Sequence, residues 1–305
     1  MDYKKYQGIF PALYAAYDEK GEISTDGIRA LVCHLADQGV HGLYVGGSSG
    51  ECIYQSVSER KLVLEAVMEA AKGRNLTIIA HVACNNTRDS RELAAHAESL
   101  GVDAIASIPP IYFHLPQHAM VAYWNDISAA APNTDFIIYN IPQLAGVALT
   151  LPMLKEMRKN PRVIGVKNSS MPVQDIQMWK DEGGKDFVVM NGPDEQLLGG
   201  LAMGATGGIG GTYGVMPKLF LKVWDLFHEG RMAEAAEIQN EICRIIYAMC
   251  AAQGNLYAVM KAIIGKQYGL TLGGVREPLP NLSEADMTIV ESCSEMIKDA
   301  IAKFC

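Results

Sequence analysis

Val163-Ile164-Gly165-Val166-Lys167 is apolar up to its last position, where a charge closes it. Upstream, Phe136-Ile137-Ile138-Tyr139 has the same build and is closed by a phenol. Short continuous apolar runs of this kind mark strands buried on both faces, because helices cover both sides of a parallel sheet. Working outward, strands are predicted near Gly8–Ala16, Gly42–Val45, Thr77–Val82, Ala104–Ile108, Phe136–Tyr139, Val163–Lys167, Phe187–Asn191 and Gly207–Ile209. Helical periodicity fills the intervals, as in Thr25–Gln38, Ser58–Ala71 and Thr87–Leu100. Each of these begins near a Ser, Thr or Asp and stops at a glycine: Gly39, Gly73 and Gly101. Eight such steps predict an α/β fold, a closed (β/α)8 TIM barrel. An open doubly wound sheet has the same periodicity and stays open as an alternative.

The chain has 305 residues, 49% hydrophobic and 20% charged. A barrel takes about 250 residues, so one barrel with a C-terminal extension is expected rather than two equal domains. From Pro217 onward the pattern is helical: Lys218–His228, Met232–Ala252, Asn255–Tyr268 and Ser283–Lys303, interrupted by the Gly- and Pro-bearing linker Gly269–Leu282. The expected organisation is a barrel over residues 1–230 carrying the active site, and a helical extension over 231–305 packed on it.

A formal charge of −8 without a basic run speaks against nucleic acid or an anionic membrane surface as partner, while leaving room for a small anionic substrate. The seven cysteines are scattered and contain no CxxC, so neither a disulfide framework nor a zinc site is expected. No apolar run is long enough for a membrane span, and the N-terminus does not read as a signal peptide; the expected compartment is the cytoplasm. The seven histidines form no convincing metal set; His114 and His118 are four apart, but Pro116 between them spoils a helical pair.

In parallel barrels the active site gathers at the C-terminal ends of the strands. Lys167 closes an apolar strand, and among apolar walls an ammonium loses hydration, which favours the nucleophilic amine. A lysine there can instead snorkel to the rim or pair with an acid. Tyr139 closes another strand, placed either to relay a proton or simply to satisfy a hydrogen bond at the barrel mouth. After the second strand comes Gly46-Gly47-Ser48-Ser49-Gly50-Glu51. Converging backbone N–H groups and two hydroxyls suit a carboxylate or phosphate, although a tight turn alone explains the glycines. It is neither GxGxxG nor a Walker loop, for no lysine follows the last glycine. Gly192-Pro193-Asp194-Glu195 follows the seventh strand, with carboxylates for a polyol or for capping the next helix. Gly207-Gly208-Ile209-Gly210-Gly211 spans the eighth.

These pieces, in this order and over nearly the whole chain, resemble the N-acetylneuraminate lyase and dihydrodipicolinate synthase superfamily of class I pyruvate aldolases. GGSSGE at 46–51 is similar to the family's loop for the pyruvate carboxylate, which implies binding roles for Ser48 and Ser49. YNIP at 139–142 implies that Tyr139 is the catalytic tyrosine, and GVK at 165–167 that Lys167 forms the Schiff base. HGLYVGGSSGE, YNIPQLAGVALTLP and NGPDE are similar to the branch that cleaves sialic acids. That branch implies substrate contacts at Ser169, Gly192, Asp194, Glu195, Gly210 and Gly211. The synthase branch usually carries an arginine where Leu144 stands. Lacking that charge-assisted contact to a semialdehyde carboxylate costs about 2–5 kcal/mol of binding. Ser49 replaces the usual threonine, and Gly211 a common serine, which puts one sugar contact in question.

The resemblance implies retro-aldol cleavage of N-acetylneuraminate to N-acetylmannosamine and pyruvate, without metal or organic cofactor. Another pyruvate aldolase, dihydrodipicolinate synthase or a 2-keto-3-deoxy sugar acid aldolase, would share Lys167 and Tyr139; a non-catalytic pyruvate-binding barrel is the alternative of a different class. It also implies a homotetramer in which Tyr112, in Pro109-Pro110-Ile111-Tyr112, reaches a neighbouring subunit's site; packing within its own loop is the plainer role for that ring.

Overall fold

The structure is a computed structural model describing residues 3–305. Its eight strands are β1 (Gly8–Pro11), β2 (Gly42–Val45), β3 (Thr77–His81), β4 (Ala104–Ser107), β5 (Asp135–Asn140), β6 (Val163–Asn168), β7 (Val188–Asn191) and β8 (Gly207–Gly210). Every residue in them is buried except Asp135, as expected of strands covered on both faces. The strand order β1-β8-β7-β6-β5-β4-β3-β2 runs through one sheet, and the ladders from β3 to β8 are parallel. A parallel bridge from Ala12 to Tyr44 carries the chain beyond β1 onto β2. That bridge joins the two ends of the strand order, so the fold is the (β/α)8 TIM barrel and not the open doubly wound sheet.

The first strand is shorter than its apolar run. Residues 12–16 are as buried as β1, and Ala12 and Leu13 still donate to the Gly210 and Tyr44 carbonyls, but beyond them the backbone bonds to loops: Ala16 accepts from the Ser24 N–H, and the next residue, Tyr17, donates to the Leu272 carbonyl. Apolar content reports burial and not pairing, so the sequence pattern extends the strand through Ala16. The helix predicted to Ala252 likewise ends at Met249, and the one predicted from Ser283 begins at Asp286. There the Asp286 carboxylate accepts from the Ser283, Gln253 and Gly254 N–H groups, a long-range tie invisible to periodicity.

Contacts divide the chain into two compact units. One comprises Thr77–Ile209 with the N-terminal stretch through Gln7. It holds the β3–β7 ladder, filled by Ile79, Ile105, Ile137, Val166 and Val189, all fully buried. The other comprises Gly8–Leu76 with Gly210–Cys305, and brings the chain's first helices together with its last. In it the helix Met232–Met249 buries Ile238, Ile242, Ile245 and Met249 along one stripe. The helix Asp286–Phe304 packs against it through Val290, Cys293, Ile297 and Ala300. The helix Val57–Ala71 starts on a reciprocal box, in which Ser56 Oγ accepts from the Glu59 N–H while the Glu59 carboxylate accepts from Ser56 N–H. Among the described residues no helix is long and apolar enough to cross a membrane.

Candidate active site

In the first unit the ladder between β5 and β6 sets Tyr139 directly opposite Lys167. Both are 4% exposed, and the Lys167 Nζ lies 4.0 Å from the centroid of the Tyr139 ring. Adjacent parallel strands lie about 4.8 Å apart, so register alone brings an amine and a phenol within reach. The ring's negative face attracts whatever cation stands on that nitrogen. His81, at the end of β3, packs edge-on against the same ring at 6.1 Å and is also buried. Sequence reading set His81 aside with the other histidines; only the sheet order places it beside the phenol.

Side chains alternate across a strand, so the residues after Tyr139, Lys167 and Met190 face the other way. All three are asparagines, Asn140, Asn168 and Asn191, in register with one another and buried. Asn168 is the hub. Its Oδ1 accepts from Asn140 Nδ2 at 2.8 Å and from Trp179 Nε1 at 2.9 Å, while its Nδ2 donates to Ser170 Oγ at 2.8 Å. Ser170 Oγ in turn donates to Asp175 at 2.6 Å. This network was missed in the sequence, although an amide one residue beyond each of three neighbouring strand ends was there to be seen.

Ser169 and Gly192 are brought together: a Cβ on Gly192 would lie 1.9 Å from Ser169 Oγ and 2.7 Å from the Asn168 carbonyl oxygen. Gly192 N–H donates to that same carbonyl at 2.7 Å, so only glycine fits this close approach. Asp194 and Glu195 follow in the 3-10 turn Asp194–Gln196, Asp194 buried and Glu195 half-buried. Neither is the N-cap of the next helix, Leu197–Ala202; that position is Gln196, which makes no side-chain cap bond.

In the second unit, Ser48–Gly50 forms a single 3-10 turn, closed by Glu51 N–H donating to the Ser48 carbonyl at 2.9 Å. Ser49 is buried and Ser48 half-buried. Gly210 ends β8, and Gly211 follows in right-handed backbone, φ −70° and ψ −46°. A Cβ on Gly211 would stand 2.9 Å from Ser49 Oγ, so the glycine leaves room for that hydroxyl. Tyr14 Oη donates to the Gly211 carbonyl at 2.6 Å and fixes the strand exit. Tyr112 stands apart. It is 85% exposed with φ +82°, and its ring meets Phe113 edge-on at 5.0 Å. Among the described residues no group of three or more His, Cys, Asp or Glu side chains is arranged to hold a metal.

Known proteins resemble this chain over nearly its whole length. A family model described as the dihydrodipicolinate synthetase family matches residues 5–297. An N-acetylneuraminate lyase of Mediterraneibacter gnavus is 62% identical over 99% of this chain and 95% of its own length. One from Rhizobium meliloti is 37% identical over 93% and 92%. Among solved structures, the wild-type sialic acid aldolase of Ruminococcus gnavus superposes with a TM-score of 0.97 at 62% identity, covering 99% of this chain and 100% of that one. A catalytic-lysine mutant of that aldolase gives 0.98, covering 99% of each chain at the same identity.

Proposed function

Because the chain belongs to the dihydrodipicolinate synthetase family, we propose that it is a carbon–carbon lyase cleaving N-acetylneuraminate to N-acetylmannosamine and pyruvate through a Schiff base on Lys167. The carrying observation is the register pair of Tyr139 and Lys167, buried, with the amine over the ring, in a chain so close to a lyase.

The unprotonated Lys167 amine attacks the C2 ketone of the open-chain sugar, and water leaves to give an iminium ion. The iminium nitrogen stands where Nζ stands, over the Tyr139 ring face, which favours its positive charge by about 0.5–2 kcal/mol. That cation takes the electron pair as the C3–C4 bond breaks, while the Tyr139 hydroxyl relays the C4 hydroxyl proton, giving its own proton to water as it accepts that one. N-acetylmannosamine departs as the aldehyde. The enamine left on Lys167 is protonated at C3, and water releases pyruvate and the free amine. Ser48 and Ser49 receive the substrate carboxylate; Ser169, Gly192, Asp194, Glu195, Gly210 and Gly211 contact the sugar chain. The iminium is the electron sink, so the route requires no metal or organic cofactor. The protein works in the cytoplasm as a homotetramer, with Tyr112 reaching a neighbouring copy.

Borohydride with pyruvate tests the nucleophile: a reduced three-carbon adduct is expected on Lys167, with loss of activity. An adduct on another lysine overturns the assignment. Turnover of N-acetylneuraminate, with none of aspartate semialdehyde, is the expected substrate pattern; the reverse assigns the chain to the synthase reaction.

A further inference from the structure

Glu51 closes the GGSSGE segment, and no step of the cleavage uses it. Its backbone is left-handed, φ 54°, and the residue is 1% exposed. One carboxylate oxygen accepts from Lys261 Nζ at 2.8 Å, the other from the Arg276 N–H at 2.8 Å. Lys261, from the helix Leu256–Tyr268, is itself 2% exposed and also donates to the Gly274 carbonyl at 2.6 Å. The Arg276 side chain donates to the Tyr54 carbonyl at 3.0 Å and pairs with Glu59 at 2.7 Å. Both cations stack on the Tyr17 ring, at 4.9 and 4.6 Å. Gln55 Nε2 donates to the Gly50 carbonyl at 2.9 Å, tying down the same turn.

A buried ion pair is a poor source of net stability beside apolar residues of equal volume, and its best-attested use is to fix one geometry over others. Here the fixed object is the turn whose hydroxyls receive the substrate carboxylate. Glu51 is also an anion close in sequence to those hydroxyls, and Lys261 neutralises it. We infer that Glu51, held by Lys261 and the Arg276 backbone, is a positioning residue that sets the Ser48–Ser49 turn, so that the C-terminal helices govern the affinity of the site for 2-oxo acid carboxylates. This rests on the carboxylate-binding role given above to that turn.

The test follows the rate of borohydride trapping at Lys167 against pyruvate concentration, in wild type, Glu51→Gln, Lys261→Met and the double variant. Near-ultraviolet circular dichroism sets an assay temperature at which each is folded. In each single variant the half-saturating pyruvate is expected to rise about tenfold, with the limiting rate held within about threefold. The double variant leaves no buried unpaired charge and is expected to fold more readily than either single one, but without the pair that holds the turn its half-saturating pyruvate is expected to stay raised by more than about twofold. Lys266→Ala, on the same helix as Lys261 but removing an exposed pair with Glu291 of the last helix, is expected to change neither quantity. Half-saturation within about twofold of wild type in the folded single variants overturns the inference, as does a fall in limiting rate alone. If a single variant fails to fold, the double variant decides: half-saturation within about twofold of wild type overturns the inference, and a larger rise upholds it. Absence of any Lys167 adduct in wild type instead brings down the Schiff-base reading itself, and this inference with it.

Discussion

Tyr139 offers two things to the reaction, a ring face and a hydroxyl, and a single substitution separates them. Tyr139→Phe keeps the face on which Lys167 rests and removes the proton relay. Pyruvate should therefore still be trapped on Lys167, while cleavage of N-acetylneuraminate falls by about 10²–10⁴-fold; equal loss of both would mean that the hydroxyl serves Schiff-base formation as well. Gly211 is legible in another way. The sequence shows that it departs from the family's serine, but not whether a serine can stand there. Its right-handed backbone admits one, and the near contact is only the rotatable hydroxyl of Ser49. Gly211→Ser is accordingly expected to shift stability by less than about 1 kcal/mol and KM for N-acetylneuraminate by less than about tenfold. Melting curves and steady-state kinetics check both. If wild type ignores this sugar and the variant gains it, the substrate assignment fails. Gly192 is the contrasting case, since the Cβ there would meet backbone as well as Ser169.

Strands β5 and β6 reach the site with Tyr139 and Lys167 on one face and the asparagines on the other, so the outward network holds the inward pair. Asn168→Ala leaves the Trp179 and Asn140 donors facing an empty acceptor, each at about 1–3 kcal/mol. A fall in unfolding free energy of about 3 kcal/mol is expected, since the two losses share one partner and do not simply add. Because strand register sets the amine against the phenol, kcat should drop about tenfold or more with a smaller change in KM. Denaturant melts and kinetics at a temperature where the variant is folded test this, and an unchanged kcat would show that the network serves stability only. At this scale the sequence was partly readable. Strand ends carrying Lys167 and Tyr139 stood out because apolar runs stop abruptly there. Partners such as Trp179, or His81 on the Tyr139 ring, depend on which elements become neighbours, and no local period encodes that.

Across the whole chain, the alternation of apolar runs and helical stretches carried the barrel, because burial on both faces leaves a mark on every strand. Ring closure was not legible, since it depends on the first strand meeting the second, as at the bridge between Ala12 and Tyr44. Nor was the attachment of the C-terminal helices, which runs through a pair 210 positions apart, Glu51 and Lys261. Assembly is further still from the sequence pattern. The loop after β4 holds Tyr112 in a left-handed backbone at 85% exposure, beside Phe113 at 70%. Left-handed backbone is costly for an aromatic residue, about 1–3 kcal/mol, and two neighbouring rings in water add an apolar surface that an interface would cover. A second copy of this chain is the occupant expected from the family, with closed symmetry as the usual outcome for like subunits. Light scattering at assay concentration should return about four times the 33.1 kDa of one chain. Tyr112→Ala should lower turnover of N-acetylneuraminate while borohydride trapping of pyruvate persists, because the residue is expected at the neighbour's sugar and not at its Schiff base. A monomer under those conditions refutes both the assembly and the role of Tyr112, and a tetramer with unchanged kinetics in Tyr112→Ala leaves that ring to its packing on Phe113.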